Sequence, residues 1–237
     1  MNSHRNYLVP TLAIFMGLAL TAVTVPAAAV RSFGTTLTSP TTPSFVTGAD
    51  GFIKRWLVLE PITVTGTSQD EIQSRNGVQP MVKKQYFANE YSNVPHNGET
   101  ETVDGKTLTW YAVDTDKYNV NLYHFADSLG KSANNALFWA VTVVNSPREM
   151  HNVRLAIGSN AASVWWLNGK EVIGIYGNIQ TVVDDGVSWR TTLKKGPNIV
   201  RVAVVNGSGA SDFCARFLDA NDKPIPGLII TSQTPRQ

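Results

Sequence analysis

Val153, Leu155 and Ile157 are apolar at every second position, and the alternation resumes from Val164 to Leu167 after a Gly-Ser-Asn-Ala stretch. A period of two marks a strand with one buried face. Asn168-Gly169 follows, a pair that tolerates the positive φ a two-residue type I′ hairpin demands at both positions. The partner strand is then predicted over 171–176. The same pattern predicts strands at 56–59, 107–113, 136–145, 150–157, 163–167, 180–184, 187–193, 199–205, 213–218 and 227–231. Residues 136–145 are almost continuously apolar, as in a strand that is central or buried on both faces. Short strands with turn punctuation and no βαβ alternation predict an all-β fold, an antiparallel two-sheet jelly-roll sandwich. No internal repeat is visible.

Residues 66–97 break the pattern. Ser68 with Glu71 three positions on is a capping box, predicting a short helix over 69–75. Pro80 suits an early helical position and predicts a second helical turn over 80–87. This reads as a short, partly helical excursion from the sheets. At the other end, Arg5, an apolar run over 8–22 and Ala27-Ala28-Ala29 form the three regions of a signal peptide spanning 1–29. An uncleaved membrane anchor over 7–29 is the competing reading; Pro10, Pro26 and the alanine triplet favour cleavage. Residues 30–48, rich in Ser, Thr and Pro, read as a tether with no packed structure, leaving 49–237 as the sandwich domain.

Composition narrows the class little further. The chain is 43% hydrophobic and 16% charged with a net charge of +2, which gives no electrostatic footprint for nucleic acid or an anionic membrane. Cys214 is the single cysteine, so no intramolecular disulfide can form and stability must come from the core. With the leader removed, the expected location is secreted or periplasmic. Oligomeric state leaves no trace in the sequence.

Four segments in order carry a resemblance: FIKRWLVLEP, AIGSNAASVWWLNGKEV, LKKGPNIVRVAVVNGSG and FCARFLDANDKPIPG. They are similar to the galactose-binding-like jelly-roll modules carried by secreted bacterial glycoside hydrolases and carbohydrate esterases. The signature of those modules runs approximately GSDDGVxVWLNG, LKKGxNxLxVKVxN and FxxRLxDxxGxP. The match spans 52–59 and nearly all of 155–227. The resemblance implies a jelly-roll sandwich and a polysaccharide or cell-surface glycan as partner. It implies no catalytic cofactor, but allows a structural calcium ion on loop oxygens such as Asp184-Asp185-Gly186 and Asn221-Asp222. Stand-alone chains that resemble these modules are often labelled acetylxylan esterases, a label that goes with the company the module keeps. Two departures stand out: Asn160-Ala161 replaces the acidic pair of the turn, and Trp165 replaces a residue that is commonly polar or basic.

Hydrolytic chemistry finds little purchase. The GxSxG elbow is absent. Ala126-Asp127-Ser128-Leu129 approaches the GDS block of flat esterases but lacks its glycine, and no Asp-x-x-His accompanies it. His124 lies four positions from Ser128 without a third member, so Asp127 and Ser128 read as a turn or helix cap. The carboxylate pairs Asp114/Asp116, Glu99/Glu101 and Asp184/Asp185 are near neighbours in loops, where acidic residues cap and solvate. No His/Cys spacing fits zinc.

Sugar binding has better candidates, because aromatic rings offer saccharides an apolar face beside hydrogen-bonding groups. Trp166 occupies the position of the family's tryptophan and is expected in the core, with Trp56. Period-two logic turns Trp165 to the opposite face, where it is either an exposed platform with Asn160 at the start of its strand, or covered by the 66–97 excursion. Tyr176 and Trp189 are further candidates; Trp110, Tyr111 and Trp139 read as structural. Three functions follow. The first is a secreted, non-catalytic carbohydrate-binding or surface-interaction module associated with polysaccharide degradation. The second is a carbohydrate esterase, acetylxylan esterase-like, with an unrecognised active site. The third is an adaptor that binds another protein.

Overall fold

The computed structural model describes residues 30–232; the predicted signal peptide over 1–29 lies outside the described residues. Strands β1 (Ser32–Phe33), β2 (Leu37–Thr38) and β3 (Phe45–Val46) precede β4 (Arg55–Leu59) and β5 (Ile62–Thr63). Helices α1 (Gln69–Ile72) and α2 (Arg75–Lys83) come next. They are followed by β6 (Thr100–Val103), β7 (Lys106–Thr115), β8 (Val120–Asn121) and α3 (Leu122–Ser128). The long strands are β9 (Ala136–Ser146) and β10 (Met150–Asn160), and then the hairpin of β11 (Ala162–Leu167) and β12 (Lys170–Ile175). The chain closes with β13 (Gly186–Val187), β14 (Thr191–Leu193), β15 (Gly196–Asn206), β16 (Asp212–Leu218) and β17 (Ile229–Thr231).

Every pairing is antiparallel, and two sheets result. The larger runs β1-β2-β7-β4-β9-β15-β11-β12, and the smaller runs β13-β10-β16-β8 with β14 also on β10. The chain steps between them, β9 to β10 to β11 and β15 to β16, in jelly-roll fashion. The Asn168-Gly169 turn is present with φ of 51° and 80°, both in the left-handed region the hairpin requires.

The large sheet is covered on both faces, and this governs the packing. Alternate residues of each central strand enter different cores. Trp56, Phe138, Trp165, Val202 and Val204 face the small sheet, meeting Leu155, Ile157, Phe213 and Phe217. Leu57, Trp139, Val164, Trp166 and Ala203 point the other way, against Ile72, Val78, Met81, Val82 and Phe87 of the excursion. This accounts for the almost unbroken apolar run of β9. It also corrects the assignment of the tryptophan pair. The two rings do take opposite faces, but Trp165 packs between the sheets, 6.0 Å from Trp56 and 5.6 Å from Phe213. Trp166 lies under the excursion with Tyr91 and Trp139 at 5.6 and 5.5 Å.

The excursion is built as its capping pattern dictates. The Ser68 hydroxyl accepts from Glu71 N–H, and the Glu71 carboxylate accepts from Ser68 N–H at 3.0 Å. Ser74 caps α2 by accepting from Gly77 N–H at 3.2 Å. A Cβ on Gly77 would sit 1.8 Å from the Glu71 carbonyl oxygen, so only glycine lets α2 fold back this tightly on α1. The second helix thus begins at Arg75, with Pro80 in its interior, rather than over 80–87.

Three other expectations are corrected. Residues 30–48 are packed, not a free tether: Phe33 and Leu37 are buried, and the buried Arg55 guanidinium donates to the Thr42 carbonyl at 2.7 Å. Few apolar residues are needed when each one reaches the core. Residues 180–184 form no strand, and 187–193 splits into β13 and β14, leaving Ser188, Trp189 and Arg190 between them.

Candidate functional site

The split between β13 and β14 builds the site. Both pair with β10, through Ala156↔Val187 on one side and Val153↔Thr191 on the other. Ser188 between them is 2% exposed. Its hydroxyl accepts from Leu155 N–H at 2.9 Å and donates to the Trp189 carbonyl at 2.9 Å. Its carbonyl accepts from Arg154 Nε at 2.9 Å. On the far side, Arg190 donates to the Asn152 carbonyl at 2.8 Å and to both Asp222 oxygens at 3.2 Å. Trp189 is therefore held by both neighbours, and its own side chain is 89% exposed. The other five tryptophans are at most 7% exposed. A large aromatic ring left in water on a pinned backbone is unusual, since such side chains bury readily.

Beside it is an open cleft of about 450 Å³, floored by Ile173 and Gly174 of the edge strand β12 and bordered by Arg75 and Glu171. Arg75, the first residue of α2, donates from Nη2 to Glu171 Oε1 at 2.6 Å. Gln79, one turn further on and buried, donates to the same carboxylate at 3.3 and 3.4 Å. The cleft thus combines an aromatic face, a guanidinium with unused N–H groups and a fixed carboxylate. A larger cleft of about 740 Å³, lined by Thr67, Ser68, Asn134 and Asn135 among others, has no aromatic residue.

The sequence-predicted site residues do not converge. Trp165 is fully buried and donates from Nε1 to Ser163 Oγ at 2.8 Å, so it presents nothing to solvent. Asn160, half-buried at the end of β10, donates to the Ile179 carbonyl at 3.1 Å. Tyr176 packs against the excursion core, and burial raises its phenol above the ordinary range. Of the four, Trp189 lines the cleft. Arg75 and Glu171 went unseen because they are 96 residues apart in sequence and carry no motif.

The oxygens offered for calcium do not fit an ion. Asp184 is forked by Arg216 at 3.0 and 2.5 Å, Asp185 accepts from Asn178 at 2.5 Å, and Asp222 is shared by Arg154 and Arg190. Among the described residues no three His, Cys, Asp or Glu side chains gather as metal ligands.

Ser128 sits in the last turn of α3, donating to the Phe125 carbonyl at 2.8 Å, as a helix hydroxyl does. A hydroxyl–imidazole–carboxylate chain forms elsewhere: His151 Nδ1 is 3.2 Å from Thr192 Oγ1, and its Nε2 is 3.0 Å from Glu149. Both His151 and Glu149 are largely exposed.

One polar cluster lies beneath the excursion. Glu90, 3% exposed, accepts from Tyr86 N–H at 3.0 Å, and burial pushes its carboxyl up to about 7. The buried Arg201 guanidinium, from β15, donates to the Tyr91 and Asn93 carbonyls and so ties the 84–99 loop to the sheet.

No protein-family model matches the chain, and no curated protein matches it. Among solved structures, a PA14 sugar-binding domain from an RTX adhesin is similar at a TM-score of 0.41 and 10% identity, over 74% of this chain and 96% of that one. A β-glucosidase from Kluyveromyces marxianus, in complex with glucose, gives 0.33 and 19%, over 46% of this chain and 14% of its own. A GH31 α-xylosidase from Xanthomonas citri gives 0.29 and 12%, over 56% and 16%. At these scores the likenesses say nothing about what this chain binds; the fold itself is an all-β antiparallel sandwich.

Proposed function

We propose that the protein is a carbohydrate-binding module whose platform is Trp189, acting as a secreted or periplasmic partner in polysaccharide recognition. One observation carries this reading: an 89% exposed indole on a backbone fixed at both neighbours, beside a cleft that offers a guanidinium and a carboxylate. Sugar C–H groups pack on an aromatic face, and flanking polar groups bind the hydroxyls. Preorganisation matters because ordering a loop on binding would subtract from a small affinity. A single shallow site of this kind gives a dissociation constant of roughly 10 μM to 1 mM. Affinity electrophoresis through gels containing xylan, galactomannan or pectin tests it. Wild type should be retarded by at least one, and Trp189→Ala should migrate as it does in an empty gel. Equal retardation of both would remove Trp189 from the site.

The esterase reading keeps one specific support, the Thr192–His151–Glu149 chain, whose order matches nucleophile, base and orienting carboxylate. Hydrolysis of p-nitrophenyl acetate that is lost in both Thr192→Val and His151→Ala, with the fold retained, would establish it. Activity surviving either change would dismiss it.

A further inference from the structure

The Arg75–Glu171 pair beside Trp189 goes further than a generic polar rim. We infer that the cleft selects an uncharged pyranose presenting a vicinal diol, with Arg75 donating to one hydroxyl and Glu171 accepting from its neighbour. This rests on the glycan reading of the Trp189 cleft and deepens it. Three observations support it. The guanidinium has five N–H groups, of which one is engaged by Glu171 among the contacts of the described residues. The carboxylate is held from two directions by Arg75 and Gln79, yet its Oε2 receives just one long contact, from Gln79 at 3.4 Å. Donor and acceptor meet at 2.6 Å, so both can address oxygens on adjacent ring carbons. Charge then decides the class. Arg75 is already neutralised by Glu171, and a uronate would bring a second carboxylate toward Glu171 with no second cation among the residues that line the cleft. A saccharide whose hydroxyls are not adjacent could satisfy one partner of the pair but not both.

Four soluble probes separate these features. Galactomannan and a xylan free of glucuronate side groups are uncharged and carry vicinal diols along their backbones. Polygalacturonate has the diol but is anionic. Laminarin, a 1,3-linked glucan, is uncharged but lacks a vicinal diol within its chain. Affinity electrophoresis of the full chain on each, with wild type, Arg75→Gln, Glu171→Gln and Trp189→Ala, gives the test. Galactomannan or xylan should bind at least about tenfold more tightly than polygalacturonate and laminarin. Each of Arg75→Gln and Glu171→Gln should weaken that binding by about tenfold or more, as loss of a charge-assisted hydrogen bond does. Arg75 is largely exposed, and Glu171→Gln keeps a side-chain oxygen for Gln79, so the melting temperature should change little in either variant. Polygalacturonate or laminarin binding as tightly as the neutral diol polymers would overturn the inference. So would wild-type binding by both pair variants while Trp189→Ala fails to bind, although the platform itself would then stand. If no probe retards wild type, or Trp189→Ala binds as wild type does, the platform and this inference fall together.

Discussion

Ser188 and Trp189 are adjacent and opposite in environment: the first is 2% exposed, the second 89%, and the Ser188 hydroxyl donates to the Trp189 carbonyl at 2.9 Å. The buried residue fixes the exposed one. Replacing Ser188 by Ala leaves Leu155 N–H without its side-chain acceptor and removes one of the contacts that hold the Trp189 backbone. We expect a loss of about 1–3 kcal/mol in urea denaturation, together with weaker glycan retardation. Unchanged retardation would mean that the ring needs no such anchor.

Trp165, Trp166 and Trp189 should separate by stability. Trp165→Ala and Trp166→Ala each empty a packed position and should each cost about 3–5 kcal/mol. Trp189→Ala should stay within about 0.5 kcal/mol of wild type. Denaturant midpoints check this, and a mild Trp165→Ala would contradict its place between the sheets.

The strand pattern was largely legible, because alternation along β7 and the first half of β10 is set by burial on a pleated sheet, and the Asn168-Gly169 turn announces its own geometry. The second covered face was not. Period two places Trp165 and Trp166 on opposite sides of β11, but which side is covered depends on Ile72, Val78 and Val82 arriving from far upstream. Residues 30–48 were misread for a related reason: Phe33 and Leu37 are two apolar residues in a polar segment, and Arg55, which anchors Thr42, lies beyond it. The site was legible in one residue. Trp189 looks like any strand tryptophan until β13 and β14 are seen to part around it, and Arg75 meets Glu171 solely through the tertiary fold.

Acid and base should act on the excursion through Glu90. Its carboxyl is raised from 4.5 to about 7, first by burial, against the pull of the Tyr86 N–H and Arg201, with Glu101 adding repulsion. Between these values the folded state binds more protons than the unfolded one. This group's contribution is therefore complete below about pH 4.5 and is lost as pH rises through 7. The urea midpoint of wild type relative to Glu90→Gln should fall between pH 4.5 and 7.5. A parallel pair of profiles would show that Glu90 is not the titrating group. Tyr86 and Tyr91, both pushed up to about 12 by burial, act in the same sense above pH 10.

Cys214 is buried in β16, and burial drives its thiol up to about 12. The native protein should react with a thiol reagent at neutral pH orders of magnitude more slowly than the urea-unfolded chain. Comparable rates would mean that β16 opens readily.

Collisional quenching of tryptophan fluorescence tests the central claim most directly, because one of the six indoles is open to solvent and the other five are not. Iodide should quench one accessible component in wild type, and that component should be missing from Trp189→Phe. Saturation with an oligosaccharide of the polymer that retards wild type should then shield the component from iodide. Shielding places the sugar on Trp189. An accessible component that iodide quenches equally with and without bound saccharide would place it elsewhere.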